Sequence, residues 1–151
     1  MKPFKFKAAA ALELRRGRDE AAQRALAVAK AALWEAERRV EHAARGLSEA
    51  LRGPVDSVEG VTDREWYRNW IAGLRRHAAQ TRVQAAARAR DVAAATSAAV
   101  FARRDLRVIE KYRDRVQTAY LLAVARAEQR ALDEFGALQF AARQRVPGGT
   151  S

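Results

Sequence analysis

An apolar stripe that repeats every seven residues runs from Ala22 to Ala50. One set of positions holds Leu or Val and the other holds Ala, and the members are Leu26, Leu33, Val40 and Leu47, with Ala22, Ala29, Ala36, Ala43 and Ala50. The alternating steps of three and four residues are typical of the seam of a coiled coil. Because a single helix cannot bury such a stripe, this segment requires a partner helix.

The composition favours long helices over a thick globular core. The apolar fraction of 49% is inflated by Ala, and the 151 residues include only 3 Pro and 8 Gly. Ala, Leu, Arg and Glu, which dominate the chain, are all strong helix formers. Since alanine fills little volume, two helices in close contact fit this composition best.

The Gly53-Pro54 pair ends the first helix, predicted over residues 8–52, because proline cannot continue a helix. A loop over residues 53–61 leads to a second helix over about 63–145, and a disordered tail is expected at 147–151. The short loop makes the helices antiparallel neighbours. The predicted fold is therefore all-α, a long antiparallel two-helix coiled-coil hairpin with a longer second helix, in a single domain over 1–151.

The second helix offers a matching seam. Steps of three and four connect Ala78, Thr81, Ala85, Arg88, Val92, Ala95, Ala99, Ala102, Leu106 and Ile109. These residues are predicted to face the first helix. Arg88 is the charged member of the set, and on the seam it predicts a local cost in stability and a device that fixes the register.

An aromatic segment follows the loop. Steps of four residues connect Trp66, Trp70, Leu74 and Ala78. This spacing predicts a stutter that turns the aromatic line away from the seam, with Tyr67 beside it. The cluster is either a plug that packs against Leu47 and Leu51 or a contact surface. Trp34, on the outer face of the first helix, is likewise either a packing accident or a binding anchor.

The excess length of the second helix is apolar. From about Ile109 onward it has no predicted partner within the chain, yet it carries Val116, Tyr120, Leu121, Val124, Leu132, Phe135, Leu138 and Phe140. An apolar unpaired helix implies a partner protein, a second copy or a fold-back. The chain opens on a basic and aromatic arm, Met1–Lys7, in which Phe4 and Phe6 stand between lysines.

Patterns typical of catalysis and of cofactor binding are missing from the sequence. There is no Cys, and no HExxH, P-loop, GxGxxG or GxSxG motif. His42 and His77 are single, and the carboxylates are scattered among arginines as expected for ion pairs on helix surfaces. We expect no enzyme activity, cofactor or metal. Charge-free stretches such as Val92–Ala102 are too short for a transmembrane segment.

The chain is strongly basic, with 29 Lys+Arg against 18 Asp+Glu and a net charge of +11. Such a surface attracts acidic partners, nucleic acid included, although it is also the solvated surface of a chain that uses Arg in place of Lys. The charge is spread around the helices, and no recognised nucleic-acid-binding motif is present. Nucleic acid is therefore not the expected partner.

Three stretches carry a family resemblance. They are Phe4–Phe6 followed by Leu12–Arg16, then Glu65–Leu74, and finally Glu128–Phe135 continuing to Ala142-Arg143. With the chain length and the two unequal antiparallel helices, they make the whole chain resemble the FliJ family of flagellar export proteins. That family forms the soluble stalk of the flagellar type III export apparatus.

The resemblance implies a fold similar to the coiled coil of the rotary ATP synthase γ subunit. It places the end that carries both termini in the pore of the hexameric export ATPase, and the ring-binding residues would be Leu121, Val124, Leu132, Phe135 and Leu138. The other end would contact the export gate, a membrane protein, through Trp66, Trp70, Leu74, His77 and Thr81. The resemblance also implies export chaperones as partners. We expect a protein that is monomeric when free, cytoplasmic, and peripheral at the inner-membrane export apparatus.

Three alternatives stay open on the sequence. The chain could be the equivalent stalk of a virulence type III secretion system, a basic coiled coil that binds nucleic acid, or a homodimer that buries the excess of helix two against its own copy. Gene neighbours, salt-dependent nucleic-acid binding and sedimentation would distinguish them.

Overall fold

A computed structural model describes residues 3–53 and 60–144, and these ranges contain two helices and no strand. Helix α1 spans Ala9–Arg52 and helix α2 spans Val61–Gln144. The predicted all-α hairpin with a longer second helix is confirmed. Most of the predicted loop, and the predicted disordered tail at 147–151, lie outside the described residues.

The start of α2 is set by Gly60. Its φ of 140° is a backbone conformation that side-chain-bearing residues rarely adopt. The Gly60 carbonyl accepts a hydrogen bond from the backbone N–H of Arg64 at 3.3 Å, which closes the first helical turn. Asp63 lies in that turn, where a carboxylate suits the positive end of the helix dipole.

The chain divides into two compact units, each containing a segment of α1 and a segment of α2. Unit 1 comprises Met1–Arg15 and Asp105–Ser151, and unit 2 comprises Arg16–Arg104. That the whole chain is one domain stays a prediction.

In unit 2 the heptad stripe of α1 is the buried face, as predicted. Ala36, Ala43 and Ala50 are buried, while the Leu and Val members of the stripe are half-buried. On α2 the buried seam residues of this unit are Ile71, Ala78, Thr81 and Ala99. Because so many of these side chains are small, the helices bury a narrow seam and no thick core.

Two polar contacts define the antiparallel pairing in unit 2. The Tyr67 hydroxyl donates a hydrogen bond to the Ala50 carbonyl at 2.8 Å. The Arg103 guanidinium contacts the Asp19 carboxylate at 3.1 Å. The last turn of α1 therefore lies beside the first turns of α2, and the early turns of α1 lie beside a later part of α2.

The prediction that Arg88 destabilises the seam and fixes its register is wrong. The Arg88 side chain is exposed, and its guanidinium contacts Asp91 at 3.2 Å on the same helix. A long arginine side chain can start from a seam position and still place its charge in water. Arg88 therefore has no buried charge with which to fix the register.

The predicted stutter is also wrong, although the aromatic line does turn away from the seam. Steps of four and three connect Tyr67, Ile71, Leu74 and Ala78, and Ile71 is buried at 6% exposure. The heptad pattern thus continues without interruption to Tyr67. Trp66 and Trp70 are both exposed, as is Leu51, so the two Trp side chains are not a core plug.

In unit 1 the N-terminal arm packs on α2. The Phe4 ring lies 5.5 Å from the Tyr120 ring, and the Phe6 ring lies 5.7 Å from the Tyr112 ring, centroid to centroid. Lys5 and Lys7, which alternate with them, are exposed. Further along, Leu12 and Leu106 are buried, and Arg15 contacts Asp105 at 2.7 Å.

The unpaired part of α2 therefore begins later than predicted. The prediction from Ile109 onward fails because the arm packs on Tyr112 and Tyr120, and Val116, Tyr120 and Val124 are half-buried. A search for seven-residue spacing could not detect the packing of the arm, because exposed and half-buried side chains alternate along residues 3–8 with a period of two. From residue 125 to residue 144 every residue of α2 is exposed.

Candidate functional site

The first candidate surface lies in unit 2 and comprises the predicted gate residues Trp66, Trp70, Leu74, His77 and Thr81; we call it the aromatic surface. The Trp66 and Trp70 rings stack at 5.7 Å with an interplanar angle of 15°. Tyr67 packs against Trp70 at 5.9 Å in a tilted arrangement. The hydrogen bond from the Tyr67 hydroxyl to α1 holds Tyr67 in place, and Tyr67 in turn packs against one member of the stacked Trp pair.

The five members of the aromatic surface differ in accessibility. Trp66, Trp70 and His77 are exposed, whereas Leu74 is half-buried. Thr81 is buried at 5% exposure, and its hydroxyl donates a hydrogen bond to the Ala78 carbonyl at 2.9 Å. A partner can therefore reach the two Trp rings and His77 directly, while Thr81 supports the helix seam beneath them.

The second candidate surface lies in unit 1 and comprises the predicted ring residues Leu121, Val124, Leu132, Phe135 and Leu138; we call it the apolar stripe. At about 100° of rotation per residue, these positions fall within an arc of about 120° on one side of α2. Leu132, Phe135 and Leu138 are each more than 60% exposed, and Leu121 is 57% exposed. Val124 is half-buried.

The segment that carries the apolar stripe is electrically balanced. Residues 121–144 contain three arginines and three acidic residues, although the chain as a whole has a net charge of +11. One of its carboxylates, Asp133, already accepts a hydrogen bond from Gln129 at 2.9 Å. The net positive charge of the chain therefore comes from residues outside this part of α2.

Sequence reasoning missed a groove between the two helices of unit 2. It has a volume of about 520 Å³ and is lined by Glu35, Arg38, Arg39 and His42 from α1 and by His77, Thr81 and Gln84 from α2. The antiparallel pairing brings His42 and His77, which looked isolated in the sequence, to the same groove. A register drawn from the Ala seam could have found this proximity.

The described residues offer little for chemistry. They hold no group of three or more His, Cys, Asp or Glu side chains placed to bind a metal ion. No helix within residues 3–53 and 60–144 is long and apolar enough to cross a membrane.

These features define an all-α, two-helix coiled-coil protein with exposed apolar and aromatic side chains on its longer helix. The sequence model of the family described as "Flagellar FliJ protein" matches residues 9–145. The chain therefore belongs to the FliJ family, a non-catalytic structural family, and is a component of the flagellar export apparatus. Comparisons with curated proteins and with solved structures give no match.

Proposed function

We propose that this protein is the stalk of the export apparatus, which couples the hexameric export ATPase to the export gate in the membrane. In this proposal unit 1 inserts its apolar stripe into the ATPase ring, and unit 2 presents its aromatic surface to the gate. Export chaperones bind as further partners. The protein works in the cytoplasm, at the inner-membrane export apparatus, and is monomeric when free.

The observation that carries the proposal is the apolar stripe. A contiguous line of exposed Leu and Phe is unusual on a protein surface and marks a site of association. Burying one such side chain contributes about 1.5–3 kcal/mol, and association costs about 4–15 kcal/mol in lost freedom. Four or five such side chains therefore support a reversible complex, which suits a coupling element that must turn or release.

The balanced charge of residues 121–144 refines this proposal. Because the segment has no net charge, contact with the ring would rest on apolar burial and shape. Apolar association is not weakened by screening, so the complex should persist as ionic strength rises. A stalk driven into the ring by its basic charge would instead dissociate in salt.

Two matched double variants test the proposal. Leu132→Ser with Phe135→Ser removes two members of the apolar stripe. Leu122→Ser with Phe140→Ser removes two side chains of the same kinds from another side of the same helix, and both of these are also more than 50% exposed. We expect the first pair to abolish stimulation of the cognate export ATPase and the second pair to retain it. Equal losses in the two pairs, or none, would refute insertion through the stripe.

A further inference from the structure

Helix α2 holds most of the net positive charge of unit 2. Its residues 72–104 include seven arginines and a single carboxylate, Asp91, which is already paired with Arg88. The part of α1 in the same unit, residues 16–52, contains eight basic and six acidic residues and is nearly balanced. The expectation that the positive charge is spread around the helices therefore does not hold in this unit.

Five of the seven arginines lie on one side of α2. At about 100° of rotation per residue, their positions fall within an arc of about 120°. They are Arg75, Arg76, Arg82, Arg90 and Arg104. All five are exposed, and none makes a hydrogen bond or an ion pair within the described residues. Since Asp91 falls outside the arc, this side of the helix presents five cations without a counterion.

Apolar side chains share the arc with these arginines. Val83, Val100 and Phe101 fall within it, and each is more than half exposed. We call the five arginines and these three residues the cationic face. Exposed alanines such as Ala79 and Ala86 separate its members, so the longer side chains project from a low surface. From its first arginine to its last, the face is about 44 Å long.

The cationic face is separate from the surfaces described above. At the same rotation per residue, the members of the aromatic surface lie about 80° or more outside its arc. The groove in unit 2 is lined by none of its eight residues. The apolar stripe lies in unit 1. An exposed and strongly charged side of α2 therefore has no part in the gate and ATPase contacts proposed above.

We propose that the cationic face binds the surface of a membrane that contains anionic phospholipids. Lipid phosphates accept the charge-assisted, bidentate hydrogen bonds that arginine donates, and the negative potential of such a membrane attracts each cation. The Val and Phe side chains of the face enter the apolar layer beneath the headgroups. A long exposed side of a helix suits a broad, flat partner, whereas a small ligand needs a concave pocket.

The exposed apolar side chains favour a membrane over a nucleic-acid duplex. Both partners carry phosphates, and both complexes would weaken as salt screens the arginines. A duplex bound through its backbone offers phosphate and sugar to the protein. A bilayer also buries the three apolar side chains, and this burial distinguishes the two partners.

The test is binding of the full chain to lipid vesicles, followed by sedimentation with no other protein present. Vesicles of phosphatidylcholine alone are compared with vesicles that contain about 30% phosphatidylglycerol, and we expect binding only to the anionic ones. One basic side chain near such a surface strengthens binding by about fivefold. Arg76→Gln, Arg90→Gln and Arg104→Gln in one chain should therefore weaken it by about a hundredfold.

The matched control removes three arginines from α1. Arg18, Arg24 and Arg39 are exposed in the same unit and make no ion pair or hydrogen bond within the described residues. Their joint replacement by Gln lowers the net charge by the same three units. It should weaken vesicle binding by less than about threefold, because salt screens charges that do not reach the membrane.

Phe101→Ser tests the apolar part of the contact. We expect it to weaken binding to anionic vesicles by about tenfold and to leave binding to a DNA duplex unchanged. Phe140→Ser is its control, since Phe140 is 65% exposed, against 62% for Phe101, and lies outside the cationic face. It should leave both kinds of binding unchanged.

Three outcomes would overturn the proposal. They are no binding to anionic vesicles, equal losses in the two triple variants, and tighter binding to the DNA duplex together with no effect of Phe101→Ser on vesicles. The last outcome would assign the face to nucleic acid. Because the vesicles contain no gate protein or ATPase, none of these results bears on the proposed function. Circular dichroism checks that each variant keeps its helicity.

Discussion

Asp19 is a carboxylate buried on the helix seam, where extension of the heptad pattern back from Ala22 places it. Its side chain is 7% exposed on the seam between α1 and α2, three residues before Ala22, at which the apolar stripe begins. One carboxylate oxygen contacts Arg103 at 3.1 Å, and the other, Oδ1, is buried without a hydrogen-bond partner in the described part of the chain. A buried carboxylate with an incomplete set of partners costs stability, and such groups can fix the register of a coiled coil.

The Asp19 seam position yields a pair of opposite predictions. Asp19→Leu should raise the melting temperature, by the equivalent of about 1 kcal/mol, because it extends the apolar seam and leaves the half-exposed Arg103 free to reach water. Arg103→Ala should lower stability by about 1–3 kcal/mol, because it leaves the buried carboxylate unpaired. Asp91→Leu, at an exposed ion pair, should change it by about 0.5 kcal/mol or less. Thermal unfolding followed by circular dichroism measures all three, and a destabilised Asp19→Leu would show that the ion pair is a net gain.

At the scale of the element, the arm and the end of α2 form one packed structure. Each tilted pair of aromatic rings contributes about 0.5–1.5 kcal/mol beyond the apolar area that it buries. The Phe6 carbonyl accepts a hydrogen bond from the Ala9 N–H at 3.2 Å, which joins the arm to the start of α1, and the two ring pairs join it to α2. Its attachment decides where the covered part of α2 ends and the apolar stripe becomes fully exposed.

Removing both aromatic anchors should loosen this part of α2. In Phe4→Ala with Phe6→Ala, we expect backbone amides of residues 112–124 to exchange hydrogen about tenfold faster, because the helix loses its covering. Lys5→Ala with Lys7→Ala is the control, since both side chains are exposed and exchange there should be unchanged. Hydrogen exchange measured by mass spectrometry resolves the segment. Unchanged exchange in the Phe variant would mean that the arm contributes nothing to the helix beneath it.

The two helices and their buried seam could be predicted from the sequence, whereas the exposed surfaces of the helices could be predicted only in part. Seven-residue spacing identified the seam because burial of one helix face enforces a strict period. The same reasoning overlooked Ile71, because the larger Trp66 and Trp70 gave an equally regular apolar line that ends on the exposed side. It misplaced the side chain of Arg88, because spacing fixes where a Cα lies and not where a long side chain ends.

The contacts of the arm were beyond sequence reasoning for a different reason, and the groove in unit 2 required a register that was not drawn. Phe4 and Phe6 contact residues more than a hundred positions away, and the extended arm has no heptad to give its register. His42, His77 and Arg39 meet only when the exact pairing of the helices is known. Contacts between distant residues outside a periodic seam leave no local signal in the chain.

At the scale of the whole molecule, membership of the FliJ family assigns the protein to the flagellar export apparatus. Its longer helix carries two kinds of exposed surface, an aromatic one in unit 2 and an electrically balanced apolar one in unit 1. We attribute gate binding to the first and ATPase binding to the second. The proposed coupling requires that both partners bind the same chain at once through these separate surfaces.

The most direct test is the turnover of the cognate export ATPase while the full chain is titrated into it. We predict that ATP hydrolysis rises and saturates at one chain per ATPase hexamer, and that the stimulation survives an increase in salt because the apolar stripe carries the contact. Unchanged turnover at every concentration, in the absence of detectable binding, would contradict the account.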